Sequence, residues 1–70
     1  DLRSAQLSVA NLKNATLKQC DLRSADLGRA ELHDADLGGA DLRGASLLFA
    51  TLNGTVLDGV AHDDKTQWPR

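Results

Sequence analysis

Leucine occupies every fifth position from residue 2 to residue 57 without a gap, and a small residue lies two places before nearly every one. That residue is Ala at 5, 10, 15, 25, 30, 35, 40, 45 and 50, Cys at 20 and Thr at 55, while the other three positions of each five are mostly polar. A helix has no use for this spacing. At about 100° per residue a step of five advances the side chain by roughly 500°, which spreads the leucines round the whole cylinder and leaves no buried stripe. A straight strand fails too, because five is odd and alternate leucines would flip to opposite faces. Within one repeat, however, Ala and Leu are two apart and share a face of a short extended segment. The step from Leu to the next Ala is three, and a corner placed there restores the inward direction. The pattern predicts brief extended pieces joined by turns, with Ala and Leu inside and three polar residues outside.

A second period lies over the first. Residues 1–5 and 21–25 read "DLRSA" and residues 41–45 read "DLRGA". If four sides close one coil, residues twenty apart stack, and the recurrence becomes a charged ladder in which Asp1, Asp21 and Asp41 form one column and Arg3, Arg23 and Arg43 the next. Coils of a β-type solenoid sit about 4.8 Å apart. Like charges at that spacing repel by roughly 1 kcal/mol per pair in water, and the column of opposite sign offsets this. The other columns are mixed, as in Gln6, Asp26 and Ser46.

The stretch "ADLGRAELHDADLGGADLRGA" resembles the pentapeptide-repeat proteins, whose motif is Ala, then Asp or Asn, then Leu, then two variable residues; residues 1–60 fit it in unbroken register. The resemblance implies an all-β fold, a right-handed quadrilateral β-helix with four repeats per coil and hence about three coils. It divides the chain into a pentapeptide-repeat β-helix over 1–60 and a C-terminal cap or tail over 61–70. The tail "AHDDKTQWP" is similar to the segment that follows the last coil in bacterial members, cyanobacterial ones especially. Under this reading Leu2 to Leu57 fill the axis, with Ala5 to Ala50, Cys20, Thr55 and Val60 in the second inward position. Both ends of such a stack expose strand edges and core leucines, and residues 61–70 are expected to cover one of them. No N-terminal cap is visible in the sequence, and the chain opens inside a repeat without an initiator Met, as expected of a processed chain or an excised domain with material missing before Asp1.

Composition changes this picture little. Seventy residues make one small domain. Ten acidic and eight basic side chains give a formal charge of −2, too mild to imply direct binding to nucleic acid or an anionic membrane. Cys20, the single cysteine, cannot form an internal disulfide, which excludes a stapled secreted mini-protein and favours a cytoplasmic, reducing compartment. No apolar run is long enough to span a bilayer.

Candidate chemistry is sparse. Cys20 reads as a small buried hydrophobe. His62-Asp63-Asp64 reads as a solvated turn, since no second His or Cys stands at ligand spacing, and His33 as a surface residue in the column Lys13, His33, Asn53. Ser4, Ser8, Ser24 and Ser46 are repeat-surface residues with no triad to join. The glycines at 28, 38, 39, 44, 54 and 59 fall at outward or corner positions and form no phosphate-binding loop. No catalytic residue, cofactor or metal is expected, and the chain is not expected to be an enzyme.

The informative departures are apolar residues at outward positions. Leu48 and Phe49 sit together on the third coil, Val9 lies two coils below Phe49, and Val56 is also outward. Either the tail folds back so that Trp68 covers Leu48 and Phe49, or Val9, Leu48, Phe49 and Trp68 form a binding or self-association surface. The expected function is a non-catalytic scaffold or protein-interaction module that displays a rigid repeat surface to another protein or to itself. The resemblance also admits a DNA-mimicking topoisomerase regulator, carried by Asp26, Glu31, Asp34 and Asp36, or a regulatory domain of a larger signalling protein such as a kinase. Those four acidic residues would ring the perimeter, on three successive sides, instead of forming a phosphate-like row.

Overall fold

The computed structural model describes residues 1–69. Each repeat is an extended Ala-x-Leu piece followed by a tight turn in which the Leu carbonyl accepts the N–H of the next Ala, as in Leu2–Ala5, Leu22–Ala25 and Leu42–Ala45, all at 3.0 Å. The third residue of the turn is left-handed, with φ near +60° at Ser4, Val9, Asn14, Gln19, Ser24, Arg29, Asp34 and Phe49. Positive φ at the third turn residue alone is the type II geometry. Gly39 shows why glycine suits some of these corners: its φ is +70°, and a Cβ there would overlap the Gln19 side-chain amide one coil below.

Where Asp or Asn precedes the Leu, it has its own local task. Its side-chain oxygen accepts the N–H two residues on, as Asp26 does from Gly28 and Asp36 from Gly38 at 2.9 Å, and as Asn11 does from Lys13 at 3.2 Å. That N–H belongs to the second turn residue. The short polar side chain therefore pins the corner, which is the reason Asp and Asn recur there.

Four turns bring the chain round, and every single-residue parallel bridge over the repeats joins n to n + 20: Gln6 to Asp26, Asn11 to Glu31, Thr16 to Asp36, Asp21 to Asp41, and so upward to Asp41 with Ala61. The bonds between coils are short and regular, for example Leu22 N–H to Asp41 O at 2.9 Å and Asp41 N–H to Cys20 O at 2.9 Å. Three coils, residues 1–20, 21–40 and 41–60, result. The Cα atoms span 23 × 20 × 20 Å.

Burial follows position in the stack. Leu22, Leu27, Leu32, Leu37, Leu42 and Leu47 are wholly enclosed with Ala25 to Ala50, whereas Leu2, Leu7, Leu12, Leu17, Leu52 and Leu57 are only partly buried against them. The expectation that all the leucines fill the axis is thus met fully only in the middle coil and on two sides of the third. The tail makes this difference. Ala61 continues the ladder above Asp41, but Gln67 pairs with Ser46, twenty-one residues away instead of twenty. The extra residue is taken up in the turn Asp63–Thr66, closed by Thr66 N–H to Asp63 O at 3.1 Å. Residues 61–69 therefore cover the sides that hold Leu42 and Leu47 and leave those of Leu52 and Leu57 uncovered among the described residues; Arg70, the end of the predicted tail segment, lies outside them.

Two hydroxyls replace methyls inside. Thr55, at an Ala position, donates to the Leu32 carbonyl at 2.6 Å, and Thr66, at the register of Ala45, donates to the Leu42 carbonyl at 2.8 Å. Each buried polar atom is satisfied by the coil below, so threonine is tolerated where alanine is the rule.

Candidate interaction surface

The charged ladder forms as the twenty-residue echo suggests, with its strongest contacts inside each repeat. Arg3, Arg23 and Arg43 reach back two residues to Asp1, Asp21 and Asp41 through forked bonds, the closest at 2.8, 2.8 and 2.6 Å. Weaker contacts of 3.8 Å join Arg3 to Asp21 and Arg23 to Asp41 on the coil above. The side-chain hydrogen bond from Arg23 holds the Asp21 carboxyl down at about 2, well below its ordinary 3.8. The corresponding bond from Arg43 lowers Asp41 in the same way. Each charge already has a partner, so this face offers no free ion to a ligand.

The tail is organised by Asp63, a residue expected in a solvated turn. Its Oδ1 accepts the N–H groups of Lys65 at 3.0 Å, Thr66 at 3.1 Å and Gly44 at 3.1 Å. On the coil below, the equivalent N–H of Ser24 bonds to the Arg43 carbonyl. The Asp63 carboxylate thus replaces a missing backbone acceptor. Burial pushes its pKa up, and these N–H donors outweigh that, so the carboxyl lies below its ordinary value. The sequence carried a signal for this in Asp-x-Lys-Thr, an Asx-turn pattern just after the last complete repeat.

Trp68 follows Gln67 and therefore takes the register above Leu47, where it is half-buried against the core. His62, at the register above Leu42, meets it edge-on, with ring centroids 5.7 Å apart. Phe49 remains 53% exposed and Val9 66% exposed, so the tail does not fold Trp68 over Phe49. Leu48 is half-buried. The group that covers part of Phe49 is Arg29, one coil below, whose guanidinium carbon lies 5.1 Å from the ring centroid. The predicted four-residue patch thus divides: Val9, Arg29 and Phe49 share one corner column beside Leu48, while Trp68 belongs to the end cover. Arg29 was missed because only the twenty-residue register, applied to a cation beside two apolar residues, brings it into that column.

The remaining candidates stay apart. Asp26, Glu31 and Asp36 bridge to Ser46, Thr51 and Val56, and so stand on three different sides of the coil. Glu31 is held by Lys13 at 3.5 Å. Cys20 is a free thiol packed partly against the core. His33 Nδ1 is buried without a hydrogen-bond partner. Among the described residues there is no pocket and no cluster of three or more His, Cys, Asp and Glu side chains placed to hold a metal.

A solenoid of square coils, with aliphatic ladders inside and polar ladders outside, defines a class of structural repeat protein. Residues 1–39 and 20–59 match the family model for pentapeptide repeats (eight copies), and the chain belongs to that family. Its fold is the family's right-handed quadrilateral β-helix. Similar solved structures come from cyanobacteria. The pentapeptide-repeat protein Rfr23 of Cyanothece 51142 is 41% identical with a TM-score of 0.89, over 90% of this chain and 43% of that one. The pentapeptide-repeat protein alr5209 of Nostoc PCC 7120 is 34% identical with a TM-score of 0.68, over 97% of this chain and 73% of that one. The chain thus spans less than half the length of the first of these. No curated protein matches the sequence. Members of the family are generally non-enzymatic structural repeat proteins.

Proposed function

We propose that the chain is a rigid display module that presents the corner column Val9, Arg29 and Phe49, with Leu48 beside it, to a protein surface. The carrying observation is the conformation and exposure of the two apolar members. Val9 and Phe49 hold φ of +66° and +62°, a region that β-branched and bulky side chains avoid at a cost of about 1–3 kcal/mol. Burial within the chain repays little of that, because both side chains remain largely in solvent. Ser, Asn or Gly at these corners, as elsewhere in the same coils, would fold more easily. Residues that cost folding energy and stay exposed are accounted for by what they contact outside the fold. The Asp–Arg ladder serves the module as a self-satisfied flank. An acidic DNA-like row finds no support in a perimeter where Asp26, Glu31 and Asp36 face three directions.

The test is cross-linking of the purified chain in a bacterial extract with Phe49→Ser alongside. The expected result is that cross-links near residues 9, 29 and 49 disappear in the variant while its circular dichroism stays unchanged. An identical cross-linking pattern in the variant refutes the assignment.

A further inference from the structure

The same column has a complement on the next corner, and the two bound a single side of the solenoid. That side carries Ala10–Leu12, Ala30–Leu32 and Ala50–Leu52. One edge holds Val9, Arg29 and Phe49, and the other holds Asn14, Asp34 and Gly54, the left-handed residues of the following turn. The members of each pair, 9 and 14, 29 and 34, 49 and 54, lie on the same coil. Arg29 leans toward the third coil, onto the Phe49 ring. Asp34 leans the same way, because a Cβ on Gly54 would overlap its carboxylate. The two opposite charges therefore stand at matching heights on opposite edges of one face. Among the described residues neither has an ion-pair partner.

We propose that this face binds a second copy of the chain, side by side with parallel solenoid axes, about a twofold axis parallel to the stack. Such an axis preserves height and exchanges the two edges. Arg29 then meets Asp34 of the second copy, and the reverse pair forms at the other edge. Phe49 meets Gly54 of the second copy, the largest side chain of the column against the smallest of its counterpart, and Val9 meets Asn14. Glu31, at the middle of the face, is already neutralised by Lys13, so the two copies of Glu31 brought near the axis add little repulsion. The inference rests on the display reading above and names its partner. It uses only the lateral surface, which is the same whatever lies above or below these coils.

The face is small. Three coils about 4.8 Å apart across a molecule with Cα extents near 20 Å offer on the order of 300 Å² per copy, less than half of a standard interface, so association is weak and concentration-dependent. Sedimentation equilibrium tests it. The 7.5 kDa chain is expected to move toward twice its mass between about 10 μM and about 1 mM, the regime of a small interface. Arg29→Asp and Asp34→Arg exchange residue types already accepted at these left-handed corners, so both variants retain the fold. Each alone is expected to stay monomeric, because like charges then meet at both edges. An equimolar mixture of the two is expected to dimerise, because opposite charges meet again. A wild type that is monomeric throughout, a single variant that still dimerises, or a mixture that stays monomeric overturns the proposal. If the wild type is monomeric but Phe49→Ser still loses its cross-links to a different protein, the second copy fails and the display reading stands.

Discussion

Leu12 and Leu32 occupy one column a coil apart, so replacing each by alanine varies burial while residue type and inward position stay fixed. Leu32 has Leu12 below it and Leu52 above it and is wholly enclosed; Leu12 is only partly buried. Removing an enclosed leucine side chain costs about 2–5 kcal/mol, part of it from the cavity left between fixed neighbours. For Leu12, whose lower side is already open, the lost burial is about half that of a full leucine, on the order of 1–1.5 kcal/mol, with no closed cavity to add. A chain of seventy residues has roughly 3.5–10 kcal/mol in total, so Leu32→Ala removes about a fifth of the stability or more. The loss is not local, because the middle coil is the only link between the outer two and each coil is stabilised by its neighbours. Urea unfolding followed by circular dichroism reads the effect as a midpoint shift. At about 1 kcal/mol per molar for so small a protein, Leu32→Ala should lower the midpoint by roughly 2 M or more and Leu12→Ala by about 1–1.5 M. Equal shifts, or a larger one for Leu12, would refute the dependence on position in the stack.

Two further outcomes follow from the charged groups. Asp21 has its carboxyl lowered from 3.8 to about 2 by Arg23. Its contribution is therefore complete above the unfolded value and is lost as pH falls through the folded one, so the urea midpoint should decline between about pH 4 and pH 2, and Arg23→Gln should flatten that decline. Asp63→Ala should release the end cover, read as a red shift of the Trp68 emission and faster exchange of the Leu42 and Leu47 amides, while Asp64→Ala leaves both unchanged.

The interior was legible because the Leu and Ala spacing states a geometric condition: only a chain that bends after each leucine can keep them all on one side. The corner between Leu and Ala and the column of Asp over Asp came from that condition and the twenty-residue echo. The Asp that recurs before many of the leucines read simply as an outward polar residue. Its bond to the N–H two residues on depends on turn geometry, which spacing alone does not reveal. The end cover was harder. His62 falls on the five-residue beat, but Trp68 lies one place beyond the next, and only the Asp63–Thr66 turn explains that shift. Spacing alone therefore grouped Trp68 with Phe49, either as its cover or as part of one patch, when its place is above Leu47. Arg29 went unnoticed because a cation at a variable position has no meaning until its vertical neighbours are known.

The bridge from n to n + 20 governs how such a chain can change length. Removing one whole circuit leaves every surviving side chain in its own column, so the Asp–Arg ladder stays in register. Removing a single pentapeptide preserves the leucines and rotates everything downstream by a quarter turn, so that Asp41 would stand over Thr16 instead of Asp21. The interior would accept either edit, whereas the exterior would be rewritten by the second. Hydrophobic burial therefore sets a five-residue unit of survival, and the decorated surface sets a twenty-residue unit of inheritance.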